Sequence, residues 1–340
     1  MAFSSGVDLN FALLSQLAGK VVAGGRISEA EAVWLTGRGA AEYADLFSAS
    51  SAIRRRFRGD EVDLCAIVNA KSGACSEDCS YCAQSAGART GIATYPLMDK
   101  NMVMEKALEA AKAGVRRFCI VTSGRKASKG EIGKIGSMIG EIAGTGLLPC
   151  ATLGILDEEE LSFLKECGLV RYHHNLETSE RYFPSICSTH TYRDKLKTVE
   201  AAMSAGLSVC SGGIFGIGET QADRVDMAFV LRDLGVDSVP INFLVPVKGT
   251  PMGEYAPLEP FEALKIVSLY RFILPDKQIR VCGGRLQALG EFNSLVFKAG
   301  ADAILTGNYL TTAGRTFSDD LDLIRQNGLR IAGPGGLLLC

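Results

Sequence analysis

In residues 117–153, RFCIVTSGRKASKGEIGKIGSMIGEIAGTGLLPCATL, a short apolar run gives way to an amphipathic stretch and then to a second apolar run. Arg117–Thr122 and Leu148–Leu153 have the length and apolar density of buried strands. Lys129–Ala143 has the spacing of a helix, and Ser128 with Glu131 makes a capping box at its start. The same alternation extends both ways. Further strands are expected over Asp63–Asn69, Arg171–Asn175, Leu207–Gly212, Ser238–Phe243, Ile279–Cys282 and Ala303–Thr306. Further helices are expected over Met102–Ala113, Glu158–Glu166, Arg193–Ala205, Gln221–Leu234, Pro260–Phe272, Leu286–Ala299 and Asp319–Gln326. Eight strands, each followed by a helix, is the count of a TIM-type (β/α)8 barrel; a doubly wound open sheet is the other arrangement with this rhythm.

Residues 1–60 read as an N-terminal helical extension, with a capping box at Ser28 and Glu31 and a basic run, Arg54-Arg55-Arg56, read as a solvated arm. The barrel is expected over 61–330 and a C-terminal tail over 331–340. The chain has 36 basic and 38 acidic residues, so charge gives no reason to expect nucleic acid or an anionic membrane as partner. No apolar run reaches the ~18–20 residues of a membrane span. Asp8 and Lys20 do not suit a signal peptide, so eleven cysteines point to a cytoplasmic protein whose thiols bind metal. With only three histidines, iron–sulfur ligation is favoured over a His-rich zinc site.

After the first strand comes Cys75-Ser-Glu-Asp-Cys79-Ser-Tyr81-Cys82, three thiols spaced C-x3-C-x2-C. Three thiolates can hold three irons of a [4Fe–4S] cube and leave the fourth iron open, whereas a ferredoxin-type cube or a structural zinc would take a fourth ligand. A zinc knuckle completed from a distant segment is the competing reading. The loop follows a strand's C-terminal end, the catalytic face of a barrel. Elsewhere, Gly212, Gly213, Ile214, Gly216 and Glu219 form a glycine-rich strand end, where a backbone can come close to a ligand. Asn175 and Glu177 lie two apart after His173, so an extended backbone would aim both to one side. Cys119, Cys150 and Cys210 stand in three different strands and can meet inside a barrel, although a single buried Cys is ordinarily inert. Arg280 and Cys282 share a face of the seventh strand.

The Cys75/Cys79/Cys82 loop resembles that of the radical S-adenosylmethionine enzymes. The resemblance narrows to the biotin synthases, on that loop together with His174-Asn175-Leu176, Val209-Cys210-Ser211-Gly212-Gly213, Val239-Pro240-Ile241-Asn242, Lys248-Gly249-Thr250-Pro251 and Gly307-Asn308-Tyr309-Leu310-Thr311-Thr312. It implies a [4Fe–4S] cluster on Cys75, Cys79 and Cys82, with S-adenosylmethionine bound at the open iron and cleaved by one electron to a 5′-deoxyadenosyl radical. It implies sulfur insertion into dethiobiotin, with sulfur from an auxiliary [2Fe–2S] cluster on Cys119, Cys150, Cys210 and Arg280. Tyr81, Asn175, Glu177, Lys195, Gly212, Gly213, Ile214 and Glu219 match cofactor positions, and Asn175, Asn242 and His173 match substrate positions. A homodimer and a flavodoxin- or ferredoxin-like electron donor are implied as partners.

The chain departs from that pattern in His173 and Glu177, in Lys195 where an Arg is common, and in Cys282, a thiol able to take Arg280's place. Cys187 has no evident role, and Cys65, Cys167 and Cys340 read as structural. Two other functions keep the Cys loop: another radical enzyme such as a hydrogenase-cofactor maturase, and a non-catalytic iron–sulfur carrier.

Overall fold

Short strands with no polar face are stable only where both faces are covered, and a closed parallel barrel ringed by helices supplies that cover. A computed structural model describes residues 5–333. Its strands are β1 (Glu61–Lys71), β2 (Arg117–Thr122), β3 (Leu148–Thr152), β4 (Arg171–His173), β5 (Ser208–Cys210), β6 (Gly213–Phe215), β7 (Ser238–Phe243), β8 (Gln278–Val281), β9 (Ala303–Leu305) and β10 (Arg330–Ile331). All pair in parallel, and β9 returns to β1 through Asp63↔Ala303 and Leu64↔Ile304, which closes the ring. An open sheet is therefore excluded. The fifth stave is broken at Ser211–Gly212 into β5 and β6, both of which pair with β7. Outside the ring, β10 extends β1; residues 334–340 of the expected tail, Cys340 among them, lie outside the described residues.

The helices outside the ring are α4 (Lys100–Lys112), α5 (Lys129–Gly144), α6 (Glu158–Glu166), α7 (Tyr192–Ser204), α8 (Gln221–Leu234), α9 (Pro260–Ile273), α10 (Arg285–Leu289) and α11 (Phe317–Gln326), following α1 (Ser5–Val22), α2 (Glu29–Thr36) and α3 (Tyr43–Arg58) at the N-terminus. On α5, Ile135, Ile139 and Ile142 recur at helical spacing and are wholly buried. Each such side chain contributes roughly 1.5–3 kcal/mol of transfer free energy. The capping boxes read at Ser28 and Ser128 are both formed.

Two local expectations fail, the second in part. The helix expected over Leu286–Ala299 stops after five residues at Gly290, whose φ of +49° takes the chain out of helical geometry, and continues as a 3-10 segment to Val296. The basic run 54–56 belongs to the last part of α3: Arg55 and Arg56 are exposed as expected of a solvated stretch, but Arg54 is buried and donates to the Gly59 carbonyl at 2.6 Å.

Candidate active site at the barrel mouth

The loops at the C-terminal ends of the strands surround a cavity of about 320 Å³. Of the expected site residues, Tyr81, Cys82, Cys119, His173, Asn175, Glu177, Lys195, Ile214, Asn242, Arg280 and Cys282 line it. Cys75, Cys79, Cys150, Cys210, Gly212, Gly213 and Glu219 do not.

Cys75, Cys79 and Cys82 stand on the irregular loop that leaves β1. Left-handed backbone at Gly73 and Ala74 (φ 71° and 48°) turns the chain across the barrel mouth. The Gly73 N–H donates to Gln84 Oε1 at 3.0 Å, tying the loop's two ends together. Burial pushes the Cys82 thiol up, and the neighbouring Cys75 adds to the effect, while the Gln84 N–H, 3.4 Å from Cys82 Sγ, opposes it. The Cys79 thiol is likewise pushed up, by its hydrogen bond to Cys187 and by burial, so a nearby cation is what would let Cys79 and Cys82 ionise together.

Cys187, without a role in the sequence reading, meets this loop from the segment after β4. Its Sγ lies 3.8 Å from Cys79 Sγ, 3.3 Å from His190 Nδ1 and 3.2 Å from Asp78 Oδ1. The hydrogen bond from Cys79, helped by His190 and Thr189, brings the Cys187 thiol down to about 4. Cys187 does not line the cavity.

Asn175 and Glu177 face the cavity together, but not through an extended strand. Glu177 has φ +73°, and its carbonyl accepts from Ile214 N at 2.9 Å. Burial raises the Glu177 carboxyl, while Lys195, with Nζ at 3.8 Å, and the Tyr81 and Asn175 side chains pull it down. Burial, with nearby Arg171 and Arg280, keeps His173 neutral, and its Nε2 has no hydrogen-bond partner among the described residues.

The glycine-rich segment serves the fold itself. A Cβ at Gly212 would sit 2.1 Å from the Pro240 carbonyl oxygen, and one at Gly213 2.5 Å from the Glu177 carbonyl oxygen. These glycines admit close approach of the β7 backbone and of the Glu177 segment. Glu219 is likewise turned inward on its own loop, accepting from Gly216 N at 3.1 Å and Ile217 N at 2.9 Å and pairing with Arg224 Nε at 2.8 Å. Asn242 bridges two staves, donating to the Gly213 carbonyl at 3.1 Å and accepting from Gly283 N at 3.0 Å.

Beneath the cavity the barrel is filled with sulfur and arginine. Cys119 and Cys150 are register partners on β2 and β3, and Cys210 pairs in register with His173. Cys65, Cys119, Cys150 and Cys282 pack with Leu305 as one buried cluster. Cys65, read as structural, is wholly buried and lies two residues before Ile67, a cavity residue, on the same inward face of β1. Burial pushes its thiol up to about 12, partly offset by Arg280.

Arg280 has a carboxylate partner that the sequence reading did not supply. Its guanidinium donates to Asp63 Oδ1 at 2.9 Å, and Arg117 Nε donates to Asp63 Oδ2 at 3.0 Å. Burial would raise Asp63, but Arg280 and Arg117 outweigh it and hold the carboxyl well below its ordinary range. Arg171 joins them through Gln278 Oε1 and Ser208 Oγ, both neutral acceptors. Three buried guanidinium groups thus meet one carboxylate. Arg280 Nε and an Arg117 terminal nitrogen have no partner among the described residues. Such an interior favours an anionic occupant.

Comparison with known proteins gives the arrangement its kinship. Residues 70–231 match the Radical SAM superfamily and 240–330 the Biotin and Thiamin Synthesis associated domain. The biotin synthase of Thermodesulfovibrio yellowstonii is 55% identical, over 85% of this chain and 91% of its own. The chain belongs to the biotin synthase family. The biotin synthase of Pelotomaculum thermopropionicum is 48% identical over 94% of this chain and all of its own. Among solved structures, methylornithine synthase (PylB) superposes with a TM-score of 0.81 at 18% identity, covering 94% of this chain and 98% of its own. The [FeFe]-hydrogenase maturase HydG gives 0.80 at 17% identity, over 94% of this chain and 75% of its own. These two likenesses show the fold alone. High identity to biotin synthases over most of the chain sets aside both the maturase and the carrier readings.

Proposed function

We propose that this enzyme closes the thiophane ring of biotin by inserting sulfur into dethiobiotin at this cavity, and that the residues divide the work as follows. Cys75, Cys79 and Cys82 hold a [4Fe–4S] cluster, fitting it as three thiols of one loop at the barrel mouth, with Cys82 in the cavity wall. Cys119, Cys150 and Cys210, with Arg280, hold an auxiliary [2Fe–2S] cluster. The observation that carries this part is the barrel interior, where three buried arginines share one carboxylate among five thiols, Cys65 and Cys282 being the other two. When bound, the first cluster and S-adenosylmethionine supply a carbon radical able to take hydrogen from unactivated C–H bonds, and the second supplies sulfur.

The chain's own side chains position the reactants. Lys195 and Glu177 form a half-buried ion pair at the cavity wall, suited to a zwitterionic ligand. Tyr81 offers an aromatic face for the adenine. His173, kept neutral, presents its unpartnered Nε2 to a polar group of dethiobiotin. Asn242 and Glu219 act through the backbone they tie down. The wall around them keeps water from the reacting carbons, which have no acidic proton or leaving group for acid–base or nucleophilic catalysis to use.

We further infer a homodimer, a flavodoxin- or ferredoxin-like electron donor, a cytoplasmic location and a division into an extension (1–60), a barrel (61–330) and a tail (331–340). No helix among the described residues is long and apolar enough to cross a membrane.

Anaerobic incubation with S-adenosylmethionine, a reductant and dethiobiotin tests the proposal. Biotin and 5′-deoxyadenosine are both expected. Cys75→Ala, Cys79→Ala or Cys82→Ala should abolish both products, and Cys210→Ala should stop biotin while sparing 5′-deoxyadenosine. Normal biotin yield from Cys210→Ala would refute the interior sulfur source.

A further inference from the structure

We infer that Cys79, Cys187 and His190 form a mononuclear site for a divalent transition ion of the zinc type, filled when Cys79 is free of the cluster. It rests on the proposed function in one respect only, that Cys79 is also a cluster ligand.

The three donor atoms lie within 4.8 Å of one another. For metal–sulfur bonds of about 2.3 Å and metal–nitrogen bonds of about 2.0–2.1 Å, tetrahedral angles place sulfur atoms ~3.8 Å apart and sulfur and nitrogen ~3.6 Å apart. Cys79 Sγ and Cys187 Sγ are 3.8 Å apart, and Cys187 Sγ is 3.3 Å from His190 Nδ1 and 3.8 Å from Nε2. Cys187 thus stands at ligand spacing from both of the other donors. Two thiolates and an imidazole are the donor set of a zinc-type ion, not of magnesium or calcium.

The surroundings are those of a built site. Cys187 and His190 are buried, and Glu77 Oε2 lies 2.6 Å from His190 Nδ1, the carboxylate–histidine arrangement that leaves Nε2, 3.8 Å from Cys187 Sγ, as the nitrogen for a metal. The Cys loop and the 186–190 segment are stapled together. Asp78 Oδ1 accepts from Ser188 N at 2.9 Å and Thr189 N at 3.2 Å, and Ser80 N donates to the Ile186 carbonyl at 2.9 Å. The Phe183 ring packs edge-on against His190 at 5.6 Å. Asp78 Oδ1, 3.2 Å from Cys187 Sγ, holds that thiol in place from the loop side. Because Cys79 serves both, the single ion and the cluster exclude one another, and zinc at this site would block cluster assembly.

The test uses the full chain, freed of iron under anaerobic conditions and carrying Cys75→Ser and Cys82→Ser so that the cluster loop cannot chelate by itself. Co²⁺ is the probe. One equivalent should bind with the intense d–d absorption of a tetrahedral site and thiolate charge-transfer bands, and Zn²⁺ should displace it. Adding Cys187→Ala or His190→Gln should abolish that spectrum, and Glu77→Gln should weaken binding by about 10–100-fold. Absence of a tetrahedral spectrum in the parent, or its persistence in both Cys187→Ala and His190→Gln, overturns the site. Failure of the cluster reading shows separately: Cys187→Ala in the otherwise unaltered chain should still take up a [4Fe–4S] cluster, as counted by iron analysis.

Discussion

Replacing Asp63 by Asn should destabilise the barrel by about 3–5 kcal/mol, the range for removing one partner of a buried ion pair and leaving the other uncompensated. The structure places this substitution at the severe end of that range. Asp63 is 5% exposed and accepts from two guanidinium groups, Arg280 at 2.9 Å and Arg117 at 3.0 Å, which are themselves buried. Arg171, the third guanidinium in the cluster, has only neutral acceptors, so no other carboxylate in the network can take over. An asparagine keeps one acceptor oxygen and part of the geometry but none of the charge. With an unfolding entropy of about 2.1 cal/mol/K per residue, a chain of this length loses ~0.7 kcal/mol per degree, so Tm should fall by roughly 4–7 °C. Thermal unfolding of cluster-free protein, followed anaerobically by circular dichroism, reads the change. Pairing Asp63→Asn with Arg280→Met should recover part of the loss, because the second substitution removes a stranded charge. A Tm within a degree of the parent would refute the claim that one carboxylate neutralises this interior.

The same carboxyl sets a pH dependence. Its folded-state value is depressed, so its contribution is fully present above the ordinary unfolded value of ~3.9 and is lost as pH falls through the lower folded value; the acid limb of a stability–pH curve should flatten in Asp63→Asn. Arg280→Ala should alter the absorption and EPR of the auxiliary cluster while leaving the first cluster intact, and unchanged spectra would make Cys282 the ligand. Gly212→Ala should reduce soluble yield and Tm, since its Cβ would stand 2.1 Å from the Pro240 carbonyl oxygen; an unaltered Tm would show that β7 yields there. Glu219→Ala should free the Gly216 and Ile217 amides and cost ~1–3 kcal/mol, seen as faster hydrogen exchange at those two positions.

Much of the architecture was legible because it depends on local periodicity. Alternating apolar runs and capped amphipathic stretches are short-range signals, and they place the staves of the barrel to within a few residues. The thiol loop was legible for the same reason, since C-x3-C-x2-C is a local spacing. Local signals also misled. Asn175 and Glu177 reach the cavity through a left-handed residue, not through strand alternation. Gly290 ended a helix that the apolar pattern continued.

By itself, then, the order of residues determined the element sequence, the cluster loop and the membership of Cys119, Cys150, Cys210 and Arg280 in a common barrel interior. Closure of the ring decided everything that joins distant segments. Arg280 meets Asp63 across 217 positions and Cys79 meets Cys187 across 108. The physical reason is that a strand's own pattern says which face is inward but not what stands opposite. The counter-charge of a buried guanidinium, or the neighbour of a thiol, is set only when the last strand pairs with the first.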